Sequence, residues 1–193
     1  MVPEGAKHAR LKLALIGLFF ALPFVLAWTA YWLHWTPGST GNYGELLQPP
    51  PQVPAGGLVG MDGKPFSLAS LRGKWVMLQF DAAACDGYCE RKLYFMRQLR
   101  VAQGKDMHRV ERVWVLTGGG NPAPALMTAI DGTYVVRAAG GTVAAAFPAG
   151  GRVEDHIYLI DPLGNLMMRF PRDPDPSKML KDLQRLLKIS QIG

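Results

Sequence analysis

From Leu13 to Leu33 the chain runs for 21 residues without an aspartate, glutamate, lysine or arginine. About 20 apolar residues of helix are what the hydrocarbon core of a bilayer requires. This run holds much of a composition that is 49% hydrophobic, so the apolar excess belongs to a membrane segment rather than to an oversized core. Pro23 lies inside the run and predicts a kink, because proline is tolerated where neighbouring groups take up the freed carbonyl. Trp28, Tyr31, Trp32 and Trp35 gather at its far end, as an interfacial aromatic belt does. A cleaved signal peptide has a shorter apolar stretch, about 7 to 15 residues, and ends in a small-x-small site; neither is found here, so the anchor is expected to be retained. Lys7, Arg10 and Lys12 flank the start of the span, whereas the next charge beyond it is Glu45. The positive-inside rule therefore sets the N-terminus in the cytoplasm of a bacterial-type inner membrane and the rest of the chain in the periplasm.

The expected plan is a cytoplasmic tail over residues 1–12, a transmembrane anchor over 13–35, a stalk over 36–57 and one folded domain over 58–193. Pro37, Pro49, Pro50, Pro51 and Pro54 with several glycines favour extended polyproline structure in the stalk. The net charge of +6 does not indicate a nucleic-acid partner, since three of the cations serve topology and the rest lack an interleaved aromatic motif.

Beyond the stalk, short apolar runs alternate with longer amphipathic stretches, the mark of a mixed α/β domain. Trp75 to Phe80 reads as a buried strand and Asp86 to Val101 as the helix after it. Val110 to Leu116 is a second strand, Pro122 to Ile130 a helix and Tyr134 to Arg137 a short strand. His156 to Ile160 and Leu166 to Phe170 form a hairpin around Asp161-Pro-Leu-Gly-Asn165. Ser177 is expected to cap a final amphipathic helix. Strand, helix, strand, helix, strand, hairpin, helix is the thioredoxin arrangement, a central mixed sheet covered by helices. No internal repeat is found.

The only cysteines are Cys85 and Cys89, and outside the cytoplasm such a pair is a disulfide, a redox couple or a metal site. They follow a buried strand and open a helix, where backbone N–H groups and the helix dipole favour thiolate. At C-x-x-x-C spacing, two fully helical residues have Cβ atoms about 5 to 6 Å apart, against about 3.5 to 4.5 Å for a disulfide. A bridge closes only if Cys85 stays outside the first turn. Two soft thiolates at the wider spacing suit Cu(I). Of the four histidines, His8 lies at the cytoplasmic end of the anchor, His34 in the aromatic belt and His108 in a charged loop. His156 heads a strand, where a thioredoxin-like fold brings the following loop against the first helix, so that it is expected to meet the sulfurs.

With Cys85, Cys89 and Asp155-His156 the sequence resembles the Sco/SenC family of membrane-anchored, thioredoxin-like copper proteins. The resemblance covers about Leu68 to Leu187 and includes Leu71-Arg-Gly-Lys-Trp75. It implies a metallochaperone that carries one copper ion per chain, Cu(I) and also Cu(II), on Cys85, Cys89 and His156. It implies as partner the cytochrome c oxidase subunit with the binuclear copper site, or a copper donor, with copper delivery or thiol maintenance as the task. The chain departs from the family by Glu90 in place of a proline after the second cysteine, and by Gly118-Gly119-Gly120 in place of an acidic segment. Asp155 is expected to orient the His156 ring.

The alternative is an enzyme, a thiol–disulfide oxidoreductase with Cys85 as nucleophile and Cys89 as resolving thiol. Such enzymes carry a cis-proline opposite the cysteines, and the one proline near, Pro148, comes several residues early. A peroxidatic thiol would need an activating partner, for which Arg91 alone is uninformative. The dispersed methionines read as core fillers, and Arg91, Lys92, Arg97 and Arg100 as a solvated helix face.

Overall fold

The computed structural model describes residues 4–33, 41–54, 56–138, 142–190 and 192. Two compact units divide the chain, Met1–Gly41 and Asn42–Gly193. The first is helix α1, Glu4–Trp32, with Pro23 inside it. Its stretch Arg10–Trp32 has a mean hydropathy of 2.2, so it is long and apolar enough to cross a membrane. Trp28 and Trp32 lie one turn apart with ring centroids 6.3 Å from each other. His34, Trp35 and the first residues of the expected stalk fall outside the described residues.

The second unit is built on strands β1 (Glu45–Leu46), β2 (Leu58–Gly60), β3 (Pro65–Phe66), β4 (Trp75–Asp81), β5 (Val110–Leu116), β6 (Tyr134–Ala138), β7 (Ile157–Ile160) and β8 (Leu166–Arg169). They form one sheet in the order β1-β8-β7-β4-β5-β6-β2-β3. Strands β4, β5 and β6 run parallel, as their crossovers through helices require. Strand β7 lies antiparallel to β4 and hairpins into β8. The helices are α2 (Gly87–Val101), α3 (Pro124–Ala129), α4 (Thr142–Ala145) and α5 (Pro176–Ser190).

The central strand sorts its side chains by the period of two. Val76, Leu78 and Phe80 enter a core completed by Val113, Val115, Tyr158 and Phe147. Trp75 and Met77 enter another with Met96 and Leu99 of α2 and Met179, Leu183 and Leu187 of α5. A third cluster holds Cys85, Cys89, Leu93, Trp114, Leu116 and Ile130. Burial of each large side chain contributes about 1.5–3 kcal/mol relative to exposure. Of the methionines expected to fill the core, Met96, Met168 and Met179 are buried, whereas Met61 and Met107 are exposed.

Two expectations need correction, and one hairpin is added. The stalk is folded onto the domain from Tyr43 onward. Backbone N–H groups of Tyr43 and Gly44 both donate to the buried Asp182 carboxylate at 2.8 Å, β1 pairs with β8, and the Tyr43 ring stacks on Phe170. Proline lacks an N–H but keeps its carbonyl, and Pro51 O accepts from Leu166 N at 2.8 Å. The last helix is capped by Asp175 rather than Ser177: its Oδ1 accepts from Ser177 N at 2.9 Å and Lys178 N at 3.3 Å, with Pro176 at the first helical position. Finally, β2 and β3 add a small hairpin at the sheet edge, turned through Gly63 at φ +80°.

Candidate functional site

Strand β4 ends at Asp81, and three alanines carry the chain to Cys85. Cys85 adopts φ +35°, a left-handed conformation that costs a non-glycine residue about 1–3 kcal/mol and that clusters at functional sites. Cys85 N donates to Ala82 O at 3.1 Å, closing the turn. Asp86 then caps α2, its Oδ1 accepting from Tyr88 N at 3.0 Å and Cys89 N at 2.9 Å. These amide donors, that of Cys89 foremost, hold the Asp86 carboxyl below its ordinary value of 3.8.

Because Cys85 stands before the cap and Cys89 within the first turn, their Cα atoms come to 5.2 Å and the two form a disulfide. The condition set by C-x-x-x-C spacing is met: one partner leaves the helix. Cys89 is fully buried and Cys85 is 7% exposed.

Sequence reasoning missed two buried polar groups, one against the bridge and one on the next turn of α2. Gln79 is fully buried on β4; its Nε2 donates to Cys89 Sγ at 3.7 Å, while its Oε1 has no hydrogen-bond partner. Lys92, expected on a solvated face, is instead 1% exposed. Its ammonium meets Asp81 Oδ2 at 2.9 Å and donates to Phe80 O at 3.4 Å and to the Glu154 carbonyl. The signals were present: a glutamine in an otherwise apolar strand, and Lys92 in register with Cys89, Met96 and Leu99 on the buried stripe of α2.

The turn before β7, Val153–Asp155, packs on α2. Besides the Lys92 contact, Tyr88 Oη donates to Asp155 O at 2.9 Å; burial pushes the Tyr88 phenol up. Next to this turn, His156 is half-buried with both ring nitrogens on backbone carbonyls, Nδ1 on Phe170 O at 2.7 Å and Nε2 on Ala149 O at 2.9 Å. Those carbonyls orient the ring, not Asp155, whose carboxylate faces Arg172 at 3.7 Å. Among the described residues no three of His, Cys, Asp and Glu gather closely enough to hold a metal ion. In this arrangement the sulfurs are joined and both imidazole nitrogens face carbonyl oxygens, so the residues fit copper only after the bridge is reduced and the ring released.

Of the other residues singled out, His108 is exposed with Nδ1 on Lys105 O at 2.8 Å, and His8 is exposed on α1. Arg91 lies 3.9 Å from Asp173 and over the Tyr88 ring. The glycine loop after β5 is held by Arg137, which donates to the Gly118 and Gly120 carbonyls and to Asn121 Oδ1.

A mixed sheet between helices, with a cysteine pair where a central parallel strand passes into a helix, defines a thioredoxin-like protein, here with a membrane-length helix in the same chain. The chain belongs to the family described as transmembrane-like, thioredoxin-like, C-terminal domain, whose model matches residues 75–190. No curated protein matches it. Among solved structures it is similar to a putative protein disulfide isomerase from Bacteroides thetaiotaomicron, with 23% identity, TM-score 0.57, 73% of this chain and 91% of that one. It is similar to yeast Sco1 with copper bound, with 16% identity, TM-score 0.56, 72% of this chain and 94% of that one. A thiol:disulfide interchange protein of the thioredoxin family from Chlorobium tepidum gives 24% identity, TM-score 0.55, 72% of this chain and 97% of that one. At these identities the likeness is one of fold.

Proposed function

We propose that this chain is a membrane-anchored thiol–disulfide exchange protein in which Cys85 and Cys89 are the redox couple. The observation that carries the reading is the bridge itself, set between a left-handed loop residue and the first turn of α2, with an amide donor aimed at the buried sulfur. A target thiolate attacks the less buried sulfur, that of Cys85. The Cys85–Cys89 bond breaks, a mixed disulfide forms on Cys85, and Cys89 leaves as a thiolate stabilised by the helix N-terminus and by Gln79. A second target thiolate then displaces Cys85, leaving the target oxidised and the pair reduced. In the opposite direction the dithiol reduces a target disulfide, and a partner dithiol restores it. With the N-terminus in the cytoplasm, this chemistry takes place on the periplasmic side.

The assignment of roles is tested by the two single-cysteine variants under oxidised glutathione. Cys89→Ser should accumulate a glutathione adduct on Cys85, and Cys85→Ser far less on the buried Cys89, as read by mass spectrometry. Equal labelling, or none, contradicts the assignment.

A second reading rests on His156. Its segment packs on the helix that carries Cys89, through Tyr88 and Lys92, and the bridge, once reduced, supplies two thiolates. In this reading Cys85, Cys89 and His156 carry copper as cargo for the copper site of cytochrome c oxidase, as in the Sco/SenC proteins the sequence resembles, and exchange chemistry prepares the target cysteines. A Cu(I) titration of the reduced chain against a chromophoric chelator tests it. One tight equivalent, weakened by His156→Ala, supports copper delivery, and no tight equivalent overturns it.

A further inference from the structure

A groove of about 570 Å³ runs between α2 and α3. It opens beside the bridge, at Gly87 and Glu90 of the first turn of α2, and ends at Arg97. Ten residues of helix separate those ends, about 15 Å, which is the reach of four or five residues of extended chain. Leu93, Leu126 and Ile130 line it, and all three belong to or pack on the apolar cluster that contains both cysteines. A peptide lying in the groove therefore rests on the same packed layer that sets the bridge.

The far end of the groove is cationic. Arg97 is exposed and donates to Ala129 O at 3.3 Å, and among the described residues it has no carboxylate partner. Arg112 of β5 is 3% exposed. It donates to Asp131 O at 2.8 Å, while its Nε and Nη1 have no partner. Burial first, then the neighbouring Arg100 and Arg97, pull the Arg112 guanidinium below its ordinary value. The carboxylates of Glu111, 3.9 Å from Arg100, and of Asp131 act in the opposite direction.

We propose that this groove binds a segment of the target protein that flanks the reacting cysteine, with apolar side chains over Leu93, Leu126 and Ile130 and a carboxylate at Arg97. The proposal rests on the exchange reading above and names the substrate class for it. Seated this way, the segment holds its thiolate at the mouth of the groove, where it attacks Cys85 Sγ. The Cys85–Cys89 bond breaks, the mixed disulfide forms, and Cys89 takes the electron pair as a thiolate.

The test uses the full oxidised chain in detergent micelles and two synthetic peptides, each with one cysteine followed by leucines. One peptide ends in glutamates and the other in lysines. The glutamate peptide should react about tenfold faster at low ionic strength, and the gap should shrink as salt screens it. Arg97→Glu, with folding checked by circular dichroism, should reverse the preference, and Ala125→Trp, which fills the groove, should slow the glutamate peptide. Equal rates for the two peptides, or a preference that Arg97→Glu leaves in place, overturn the groove. Dithiothreitol needs no groove, so failure of dithiothreitol to reduce the wild-type bridge overturns the exchange reading beneath it instead.

Discussion

Between Leu78 and Phe80, both fully buried, β4 carries the amide of Gln79. Its N–H reaches Cys89 Sγ and its oxygen is unpaired, which gives two opposed effects. A buried oxygen without a partner destabilises the fold, and replacing it by an apolar group of similar shape relieves that. An N–H donor stabilises a thiolate more than a disulfide sulfur, so its loss favours the bridge. Gln79→Leu is therefore expected to leave the melting temperature unchanged or raise it. It should also make the couple more reducing by about 10–30 mV, the equivalent of one modest hydrogen bond for two electrons. Redox titration and a melting curve on one sample check both, and an unchanged potential contradicts a role for the amide. At this scale the sequence showed which residues come together more readily than their state. Cys85 and Cys89 do meet at the start of α2, whereas His156, expected at the sulfurs, has its ring on backbone carbonyls, and it is the turn before it that packs on α2. That Cys85 takes a left-handed conformation, or that two carbonyls claim the His156 ring, follows from loop geometry that spacing does not encode.

At the scale of elements, α2 carries most of the site, and its first turn and buried stripe can be tested separately. The Lys92–Asp81 pair is closed off from water on the lysine side, and removing one partner leaves an uncompensated buried charge. Lys92→Met is expected to cost about 3–5 kcal/mol in urea unfolding. The double variant Lys92→Met, Asp81→Leu should recover much of that loss, and a mild single-variant effect would mean that water reaches the pair. The cap gives a pH effect of known sign. Folding lowers the Asp86 pKa through the N–H groups of Cys89 and Tyr88. Its contribution is thus present above the ordinary value of 3.8 and is lost as pH falls through the depressed folded-state value. Asp86→Asn, which keeps a cap without the charge, should flatten part of the loss of melting temperature on the acid side and change little at neutral pH. The long elements were legible because each supplies a full period of pattern: β5 lies where its apolar run predicts, and α2 starts one residue later than expected. Strands β1, β2 and β3, of two or three residues each, are too short to show a period. Their place is set by pairing with distant partners at the sheet edges.

For the whole molecule, the unit that begins at Asn42 includes the amides that Asp182 accepts. A soluble form should start there, since starting near Val53 would strip β1 and leave the buried Asp182 carboxylate unpaired. The full chain is expected to stay with membranes through alkaline carbonate extraction, whereas the form from Asn42 should be released. Release of the full chain would show that α1 does not span. The membrane-length helix α1 was legible because its apolar character is a sum over many residues. The return of the stalk to the domain was not, because it depends on Asp182, some 140 residues away. The central claim is that the Cys85–Cys89 bridge is a working couple and not a staple, and equilibration of the chain from Asn42 in glutathione buffers of graded ratio tests it most directly. A reversible two-electron transition with a midpoint between about −270 and −120 mV, the range of exchange proteins, is the predicted result, and a bridge that stays closed below about −300 mV would contradict it.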